Sequence, residues 1–235
     1  MSAPVIAFEN VMLAVGGQTL FGPVSAVVQS PGITVIMGPN GAGKSLFLGA
    51  AHGLLPQMRG GVHWDGVAAS QSRAKRGFVF QTTPVMRRSV AGNIAFPLFA
   101  QNLPRAERAR LLDRALRAAR LHGDAGKPAA ALSGGERKRL ALARATVTEP
   151  RAVLLDEPAA NLDPASTLEL EQSLRRISDE GTKVLLSTHD VAQARRLADD
   201  VLFFDHGQLV EQADADTFFE HPATPAAERY LRGEL

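Results

Sequence analysis

The sequence contains no cysteine, and this absence excludes several kinds of chemistry at once. A chain without thiols has no disulfide framework, no thiolate metal site and no cysteine nucleophile, which fits the cytosol. Long apolar runs are also missing, since the longest, such as residues 152–155, have only the length of a strand. The first residues show no charged segment followed by an apolar one. We therefore expect neither a membrane-spanning helix nor a secretion signal.

The chain also has little net charge. Its 26 lysines and arginines nearly balance 24 acidic residues, which leaves +2, so we expect no nucleic-acid partner. The densest arginine cluster, residues 105–120, has the composition of a solvated helix face. With 235 residues that are 45% apolar, the chain can bury one substantial core, alone or with a small appended subdomain.

Short apolar runs alternate with helical patterns near both ends of the chain, which is typical of an α/β layered core. Between residues 82 and 148, apolar residues instead recur at helical spacing, so we expect a helical insertion. A single domain over 1–235 is thus predicted, with its core at about 1–81 and 149–211 and a C-terminal helical tail at 212–235, to which we assign no chemistry. Strands are predicted at residues 5–8, 25–29, 33–37, 152–155, 183–187 and 201–204.

A glycine-rich segment follows the apolar residues 33–37 and precedes a helical pattern that begins at Leu46. Strand, glycine-rich loop and helix is the order that a phosphate-binding loop requires. Glycines let several backbone N–H groups converge on a β-phosphate, and the start of the helix adds positive dipole. We expect Lys44 to reach the β- and γ-phosphates and the Ser45 hydroxyl to ligate Mg²⁺. The predicted nucleotide-binding residues of this phosphate loop are Gly38, Pro39, Asn40, Gly41, Ala42, Gly43, Lys44 and Ser45.

Two adjacent carboxylates, Asp156 and Glu157, end the apolar run of residues 152–155. Burying such a pair is costly unless a cation or a proton transfer uses it. In a phosphate-loop protein Asp156 is placed to orient Mg²⁺ or its waters, and Glu157 to polarise the attacking water. An acid pair at a strand end is by itself more often a turn or a cap, and it is the phosphate loop that favours a catalytic site here.

Two further polar residues follow predicted strands. His189 comes shortly after residues 183–187, where an imidazole can bond a γ-phosphate and sense its loss. Gln81 follows the strand-like residues 77–80, where its side-chain carbonyl can reach the same Mg²⁺. Taken alone, each would be interpreted as an ordinary surface or structural residue.

The segment Leu-Ser-Gly-Gly-Glu-Arg-Lys-Arg at residues 132–139 closely resembles the signature sequence of ABC-type ATPases, and we call it the signature segment. The resemblance covers residues 5–211, with the motifs in family order. It implies the P-loop NTPase fold of ABC ATPases, an α/β core with a mixed β-sheet and an inserted helical subdomain. It also implies that Gln81 is the Q-loop glutamine and His189 the switch histidine, and that Asp156 and Glu157 are the Walker B acids.

The signature segment opens a helix, with Ser133 and Glu136 at the spacing of a capping box, and so offers a second phosphate-binding terminus. In the family this terminus binds the ATP held by a partner subunit. The resemblance therefore implies a homodimer with two shared sites, in which Ser133, Gly134, Gly135 and Glu136 also bind ATP. It implies Mg²⁺-dependent ATP hydrolysis with Glu157, His189 and Lys44 as catalytic residues and with Ser45, Gln81 and Asp156 as metal ligands.

Val15 departs from the family pattern, which usually stacks adenine on an aromatic residue at this place. A valine supplies apolar contact but no π face, so we assign Val15 to the ATP site and expect it to hold the base more weakly.

The resemblance implies the ATPase subunit of a membrane transporter, located in the cytoplasm on the inner face of the membrane. Separate transmembrane permease subunits would dock beside Gln81 and the helical segment, and an importer would add a substrate-binding protein. Residues 86–98 resemble those of bacterial importer ATPases, and overall likeness favours small oxyanions such as tungstate, molybdate or phosphate. Two alternatives remain open: a soluble ABC ATPase that drives no transport, such as one of iron–sulfur assembly, and a non-catalytic nucleotide sensor.

Overall fold

The computed structural model describes residues 3–82 and 84–234, so residues 1, 2, 83 and 235, although part of the predicted divisions, lie outside the described residues. The chain alternates strands and helices at both ends and is helical in the middle. Its strands are β1 (Ile6–Val15), β2 (Gln18–Val28), β3 (Ile33–Met37), β4 (Arg59–Trp64), β5 (Val67–Ala68), β6 (Arg76–Val79), β7 (Ala152–Asp156), β8 (Lys183–Ser187), β9 (Asp200–Asp205) and β10 (Gln208–Asp214).

The helices divide between the sheet-forming parts of the chain and its middle. Several begin at residues whose side chains accept a hydrogen bond from the first turn, such as Asp163 before Pro164. The α-helices are α1 (Lys44–His52), α2 (Val90–Ala95), α3 (Arg105–Ala118), α4 (Gly134–Thr146), α5 (Pro164–Asp179), α6 (Val191–Leu197), α7 (Ala215–Glu220) and α8 (Pro225–Leu231).

A six-stranded sheet with the order β10-β9-β3-β8-β7-β6 forms the centre of the molecule. The pairs from β9 to β6 are parallel, and β10 runs antiparallel to β9. Every residue of β3, β7 and β8 is buried, as expected of parallel strands covered on both faces. The predicted mixed sheet is therefore confirmed.

The five parallel strands all end at one edge of this sheet. Asp156 at the end of β7 lies opposite Ser187 at the end of β8, and Ile36 near the end of β3 is also paired with Ser187. The phosphate loop, Gln81, Glu157 and His189 follow the ends of β3, β6, β7 and β8. In open parallel sheets, ligands bind at this carboxyl edge.

A second, antiparallel sheet has the order β2-β1-β4-β5. The sequence predicted only short parts of β1 and β2, and it missed β4, β5 and β10. The β4 residues include two adjacent glycines, Gly60 and Gly61, which give little intrinsic strand preference. β4 forms because β1 pairs with it from Ile6 to Met12, so a partner distant in sequence overrides local preference.

Three clusters of buried apolar side chains hold the layers together. One contains β1, α1 and one face of the six-stranded sheet, and another contains the opposite face with α5 and α6. The third lies wholly within residues 90–147 and packs α2, α3 and α4 together. Of the described residues from 84 to 148, only Ser89 and Pro128 form a β-bridge, and it is isolated.

The C-terminal tail is packed against the second cluster. The sequence suggested one short amphipathic helix here, whereas the structure has two, α7 and α8. Phe218 in α7 and Ala227 in α8 are fully buried. The tail is therefore part of the core beside the carboxyl edge of the sheet.

Candidate active site

The phosphate loop leaves β3 at Gly38 and enters α1 at Lys44. Gly38 has a φ of +143°, and a Cβ built on it would lie 2.1 Å from the carbonyl oxygen of Phe204. Gly43 has a φ of +101°, and its Cβ would lie 2.8 Å from the Phe21 ring. A side chain at either position would both strain the backbone and clash, so the loop can take this path only with glycine.

The first turn of α1 faces a cavity of about 270 Å³. Gly43 occupies the N-cap position, and the described residues provide no side-chain hydrogen bond there. The first N–H groups of a helix have no partner within it, and they carry the positive end of the helix dipole. This arrangement suits a phosphate group. The cavity is lined by Asn40, Gly41, Ala42, Gly43, Lys44, Ser45, Leu46, Gln81 and Glu157.

The Lys44 ammonium is buried at the floor of this cavity. Its Nζ donates to the carbonyl oxygens of Gly38 at 2.9 Å and Pro39 at 3.0 Å, and it lies 3.5 Å from Glu157 Oε1. The loop's own carbonyls thus hold the cation next to the helix N-terminus. Two positive features, the ammonium and the dipole, therefore meet at one point.

Glu157 is the residue on which the other predicted groups converge. His189 Nδ1 lies 3.2 Å from Glu157 Oε1, and Gln81 Nε2 donates to Oε2 at 3.2 Å. The carboxylate is only 13% exposed, and the backbone has a φ of +41°, in the left-handed region that non-glycine residues rarely adopt. Such strain is found mostly where the surrounding structure holds a functional residue in place.

Asp156 is held by hydroxyl groups. Ser45 Oγ donates to its Oδ1 at 3.0 Å and Ser187 Oγ at 2.7 Å. The same Ser187 oxygen accepts the backbone N–H of Glu157 at 2.9 Å, so one serine orients both acids. Sequence reasoning missed Ser187, although its position at the end of a buried strand beside Asp156 was a usable signal.

The donor set around Asp156 fits Mg²⁺. This carboxylate is buried, and within the described parts of the chain it forms no ion pair, so a cation would compensate its charge. The described residues contain no group of three or more His, Cys, Asp or Glu side chains that could hold a metal, so the protein would supply only part of the ion's ligands. Mg²⁺ commonly takes one or two protein oxygens and completes its shell with water and substrate phosphates.

The signature segment does not line the phosphate-loop cavity. Ser133 is the N-cap of α4, and the predicted capping box is confirmed: the Ser133 N–H donates to Glu136 Oε2 at 2.8 Å, and the Glu136 N–H donates to Ser133 Oγ at 3.4 Å. None of Ser133, Gly134, Gly135 and Glu136 lines the phosphate-loop cavity. Within one chain the structure does not bring these predicted ATP ligands to Lys44.

A lysine in the signature helix does contact the site. Lys138 Nζ donates to the backbone carbonyl of Gln81 at 2.6 Å, so α4 is tied to the segment that carries the predicted metal ligand. The sequence alone indicates no separate role for Lys138. Its partner is a backbone atom 57 residues away, which no local pattern identifies.

Val15 is not among the residues around the cavity. It ends β1 before the turn at Gly16 and Gly17, is paired with Gln18, and is 59% exposed. It presents an accessible apolar side chain without a π face, and its assignment to the ATP site stays a prediction.

The family model described as ABC transporter matches residues 21–160. The chain belongs to the ABC transporter family. It is 36% identical to the tungstate uptake system ATP-binding protein TupC of Peptoclostridium acidaminophilum over 91% of this chain and 99% of that protein. It is 35% identical to the Fe(3+) ions import ATP-binding protein FbpC of Streptomyces coelicolor over 98% of this chain and 68% of the relative. The solved structure of cbiO1 from Clostridium perfringens, titled part of the ABC transporter complex cbiONQ, has a TM-score of 0.83 and 27% identity, and covers 92% of this chain and 91% of its own.

These findings confirm the fold and the general activity. The protein has the ABC ATPase fold, binds ATP and hydrolyses it, and it is an ATP-binding subunit of an ABC transporter. The soluble, non-transport alternative gains no support from them. Of the described helices, none is both long and apolar enough to cross a membrane.

Proposed function

We propose that this ABC ATPase energises the import of a small oxyanion, such as tungstate, molybdate or phosphate, through a separate membrane permease. The likeness to the tungstate uptake protein, which extends over 99% of its length, supports this cargo. A phosphate import ATP-binding protein, PstB 2 of Listeria monocytogenes, is 32% identical over 86% of this chain. Relatives named for methionine and Fe(3+) import match over 68% of their own lengths.

The contacts of Glu157 with Lys44, Gln81 and His189 carry the proposed mechanism. The cavity at α1 takes the β- and γ-phosphates of ATP, and the ammonium of Lys44 turns from the loop carbonyls towards them. Glu157 polarises the attacking water, as a carboxylate within hydrogen-bond reach of the reacting phosphate can. His189 contacts the γ-phosphate from the strand next to Asp156.

Mg²⁺ is the metal cofactor in this proposal. Ser45, Asp156 and Gln81 would hold it, and once bound it neutralises charge on the phosphate oxygens. The oxygen atoms of a hydroxyl, a carboxylate and an amide are the ligand types that this ion prefers. The Gln81 amide would have to turn its oxygen towards the metal, since its nitrogen now donates to Glu157.

The second half of each ATP site comes from another copy of the chain in this proposal. The residues at the start of α4, from Ser133 to Glu136, lie outside the cavity, and a partner copy would bring them to the phosphates. Ser133, Gly134, Gly135 and Glu136 would then close over ATP held at Lys44 of the opposite subunit. Val15 would lie at the adenine end of the same site.

The permease is proposed to dock on the helical subdomain, residues 82–148, which follows Gln81 in the chain. Two phenylalanines there, Phe96 and Phe99, have exposed rings, and so does Phe80, the residue before Gln81. Aromatic side chains are enriched at protein interfaces. Docking would place the subunit on the inner face of the membrane, and a substrate-binding protein would deliver the oxyanion from the other side.

The substitution Glu157→Gln tests the catalytic role. It removes the carboxylate and keeps the side-chain shape, so ATP binding should persist while phosphate release falls by about a thousandfold. Glu149→Gln is a matched control, because Glu149 also has a positive φ, of +50°, but lies on the surface paired with Arg114. Undiminished phosphate release by Glu157→Gln would refute the proposed base.

The cargo is tested with the complex that co-purifies from membranes. Reconstituted into vesicles with its substrate-binding protein, the complex should hydrolyse ATP several-fold faster with tungstate, molybdate or phosphate than with none. Methionine serves as the comparison cargo. Stimulation by methionine and by none of the oxyanions would contradict the proposal.

A further inference from the structure

The last helix of the chain reaches the back of the active site through Tyr230. The Tyr230 hydroxyl donates to the backbone carbonyl of His189 at 3.0 Å and lies 3.4 Å from the carbonyl of Gly38. A phenol has one proton, so it donates to one of these oxygens at a time. The shorter distance assigns it to His189, while the Gly38 carbonyl also accepts from Lys44.

Tyr230 is held firmly enough to position another residue. The buried carboxylate of Glu211 accepts the N–H groups of Ala223 and Thr224, at 2.9 and 3.0 Å, and the Thr224 hydroxyl at 2.8 Å. These bonds fix the start of α8. The Tyr230 ring packs against Phe203 of β9, with ring centroids 5.1 Å apart. The hydroxyl is therefore carried by a helix anchored at its start and by a ring packed on the central sheet.

The phenol remains a donor at neutral pH. Burial, together with the negative charges of Glu157 and Asp190, raises the pKa of Tyr230 to about 12. Both acids flank the active site. The hydroxyl therefore keeps its proton beside the site.

We propose that Tyr230 is a positioning residue for ATP hydrolysis, whose hydroxyl fixes the backbone of His189 and so sets where the imidazole meets the γ-phosphate. The proposal rests on the proposed role of His189. Through the Gly38 carbonyl the same hydroxyl borders the first residue of the phosphate loop. The tail then contributes to the reaction, although no motif within it indicates this.

Tyr230→Phe tests the proposal by removing the hydroxyl and keeping the ring on Phe203. Losing one hydrogen bond of ordinary strength should lower kcat about fivefold. The KM for ATP should stay within about twofold, because the phosphate loop keeps its own contacts. Arg229→Ala, an exposed change one residue earlier in α8, should leave both constants unchanged. Equal kcat for Tyr230→Phe and the unchanged chain would overturn the proposal.

A double-mutant cycle separates positioning from simple stabilisation. His189→Ala should lower kcat strongly, and adding Tyr230→Phe to it should cause no further loss, because the hydroxyl acts through His189. A further fivefold loss in the double variant would overturn the proposal. If His189→Ala itself keeps full activity, the proposed role of His189 fails and the inference fails with it. If His189→Ala lowers kcat but Tyr230→Phe does not, the proposed role of His189 stands and only the inference fails.

A spectroscopic readout needs no turnover. The chain has a single tyrosine, so tyrosine labelled with ¹³C at Cζ alone gives one ring signal from the full-length protein. In the Glu157→Gln background that signal should differ between ATP and ADP, because only ATP offers the γ-phosphate to His189. The difference should vanish in the His189→Ala variant of the same background. Identical signals with the two nucleotides, or a difference that survives His189→Ala, would overturn the proposal.

Discussion

Two helix N-termini of this ABC ATPase are assigned to ATP phosphates, and they are built differently. The N-terminus of α1 follows Gly43, which offers no side-chain cap among the described residues, and it lies beside the Lys44 ammonium. The N-terminus of α4 is closed by the capping box between Ser133 and Glu136. One terminus has its N–H groups ready for an anion, and the other has two of them already bonded by its own side chains.

The difference suggests that the N-termini of α1 and α4 have different roles in ATP binding. The α1 terminus can take phosphate within a single chain, because its donors and its cation are already in place. At α4 the bond from the Glu136 N–H to Ser133 Oγ is 3.4 Å long and therefore weak, so Ser133 can turn to an incoming phosphate at little cost. We expect α1 to dominate ATP binding and α4 to act only when two copies meet.

The largest effect should come from Lys44→Met, which removes the cation from the α1 terminus. We expect ATP hydrolysis to fall by at least about a hundredfold and ATP binding to weaken at least about tenfold, since a buried charge-assisted contact to phosphate is lost. Phosphate release and nucleotide titration measure the two effects. Lys127→Met, an exposed lysine paired with Asp124, should change neither constant, and equal losses in both variants would contradict the comparison.

Ser133→Ala should have a smaller effect and only on the dimer. We expect hydrolysis to fall about tenfold with ATP binding to the single chain unchanged, and the free energy of unfolding to fall by only about 0.5 kcal/mol, because the lost cap bond is long. Ser89→Ala removes a shorter cap bond, which Ser89 Oγ accepts from Gly92 N at 3.0 Å, and should cost at least as much stability without affecting hydrolysis. Equal hydrolysis by Ser133→Ala and Ser89→Ala would show that Ser133 serves only as a cap.

The opposite end of α1 gives a pH-dependent prediction. Burial, and then the nearby charge of Arg76, lowers the pKa of His52 from 6.5 to about 4. As the pH falls, the unfolded chain therefore takes up this proton before the folded chain does. The free energy of unfolding is at its full value above pH 6.5, and the share that depends on His52 is lost as the pH falls towards 4. Between pH 6.5 and 5.5 we expect His52 to cost about 1 kcal/mol of the free energy of unfolding.

Urea unfolding of His52→Gln checks this assignment. The variant should lose about 1 kcal/mol less than the unchanged chain over the same pH step, with the other histidines common to both. Parallel pH curves for the two proteins would contradict it. With His52 neutral, the charged side chain of α1 is Lys44, at the phosphate end of the helix.

The smallest effect is expected at the adenine end of the site. Val15→Tyr should strengthen ATP binding about threefold, because an aromatic face can stack on the base. Val67→Tyr, on another exposed valine of the same sheet, is the control and should leave binding unchanged. Equal dissociation constants for Val15→Tyr and the unchanged chain would remove Val15 from the proposed site.

The sequence predicted those parts of the fold whose signal is local. Residues 33–37 and 183–187 are strands with the predicted bounds, because apolar residues form most of each run. Ser133 starts a helix as predicted, because the cap and its partner lie within three residues. In contrast β4 escaped prediction, since it depends on pairing with β1 rather than on its own glycine-containing sequence.

The candidate site shows the same limit. The phosphate loop, Asp156 and Glu157 follow strand ends, so short patterns place them at one edge of the sheet. Ser187 and Lys138 were missed because their partners lie 31 and 57 residues away in sequence. Tyr230 was missed because it bonds to His189 and Gly38 through backbone carbonyls, which leave no trace in side-chain composition.

A complementation assay tests most directly whether α1 of one copy and α4 of another form one site. Gly134→Asp places a carboxylate at the α4 terminus where a Cβ meets nothing within 4 Å, so it repels phosphate without a clash. Lys44→Met and Gly134→Asp should each be nearly inactive alone. Mixed in equal amounts, half of the dimers carry one intact site, and about a quarter of the full ATPase activity should return. A mixture no more active than its separate components would contradict the shared site.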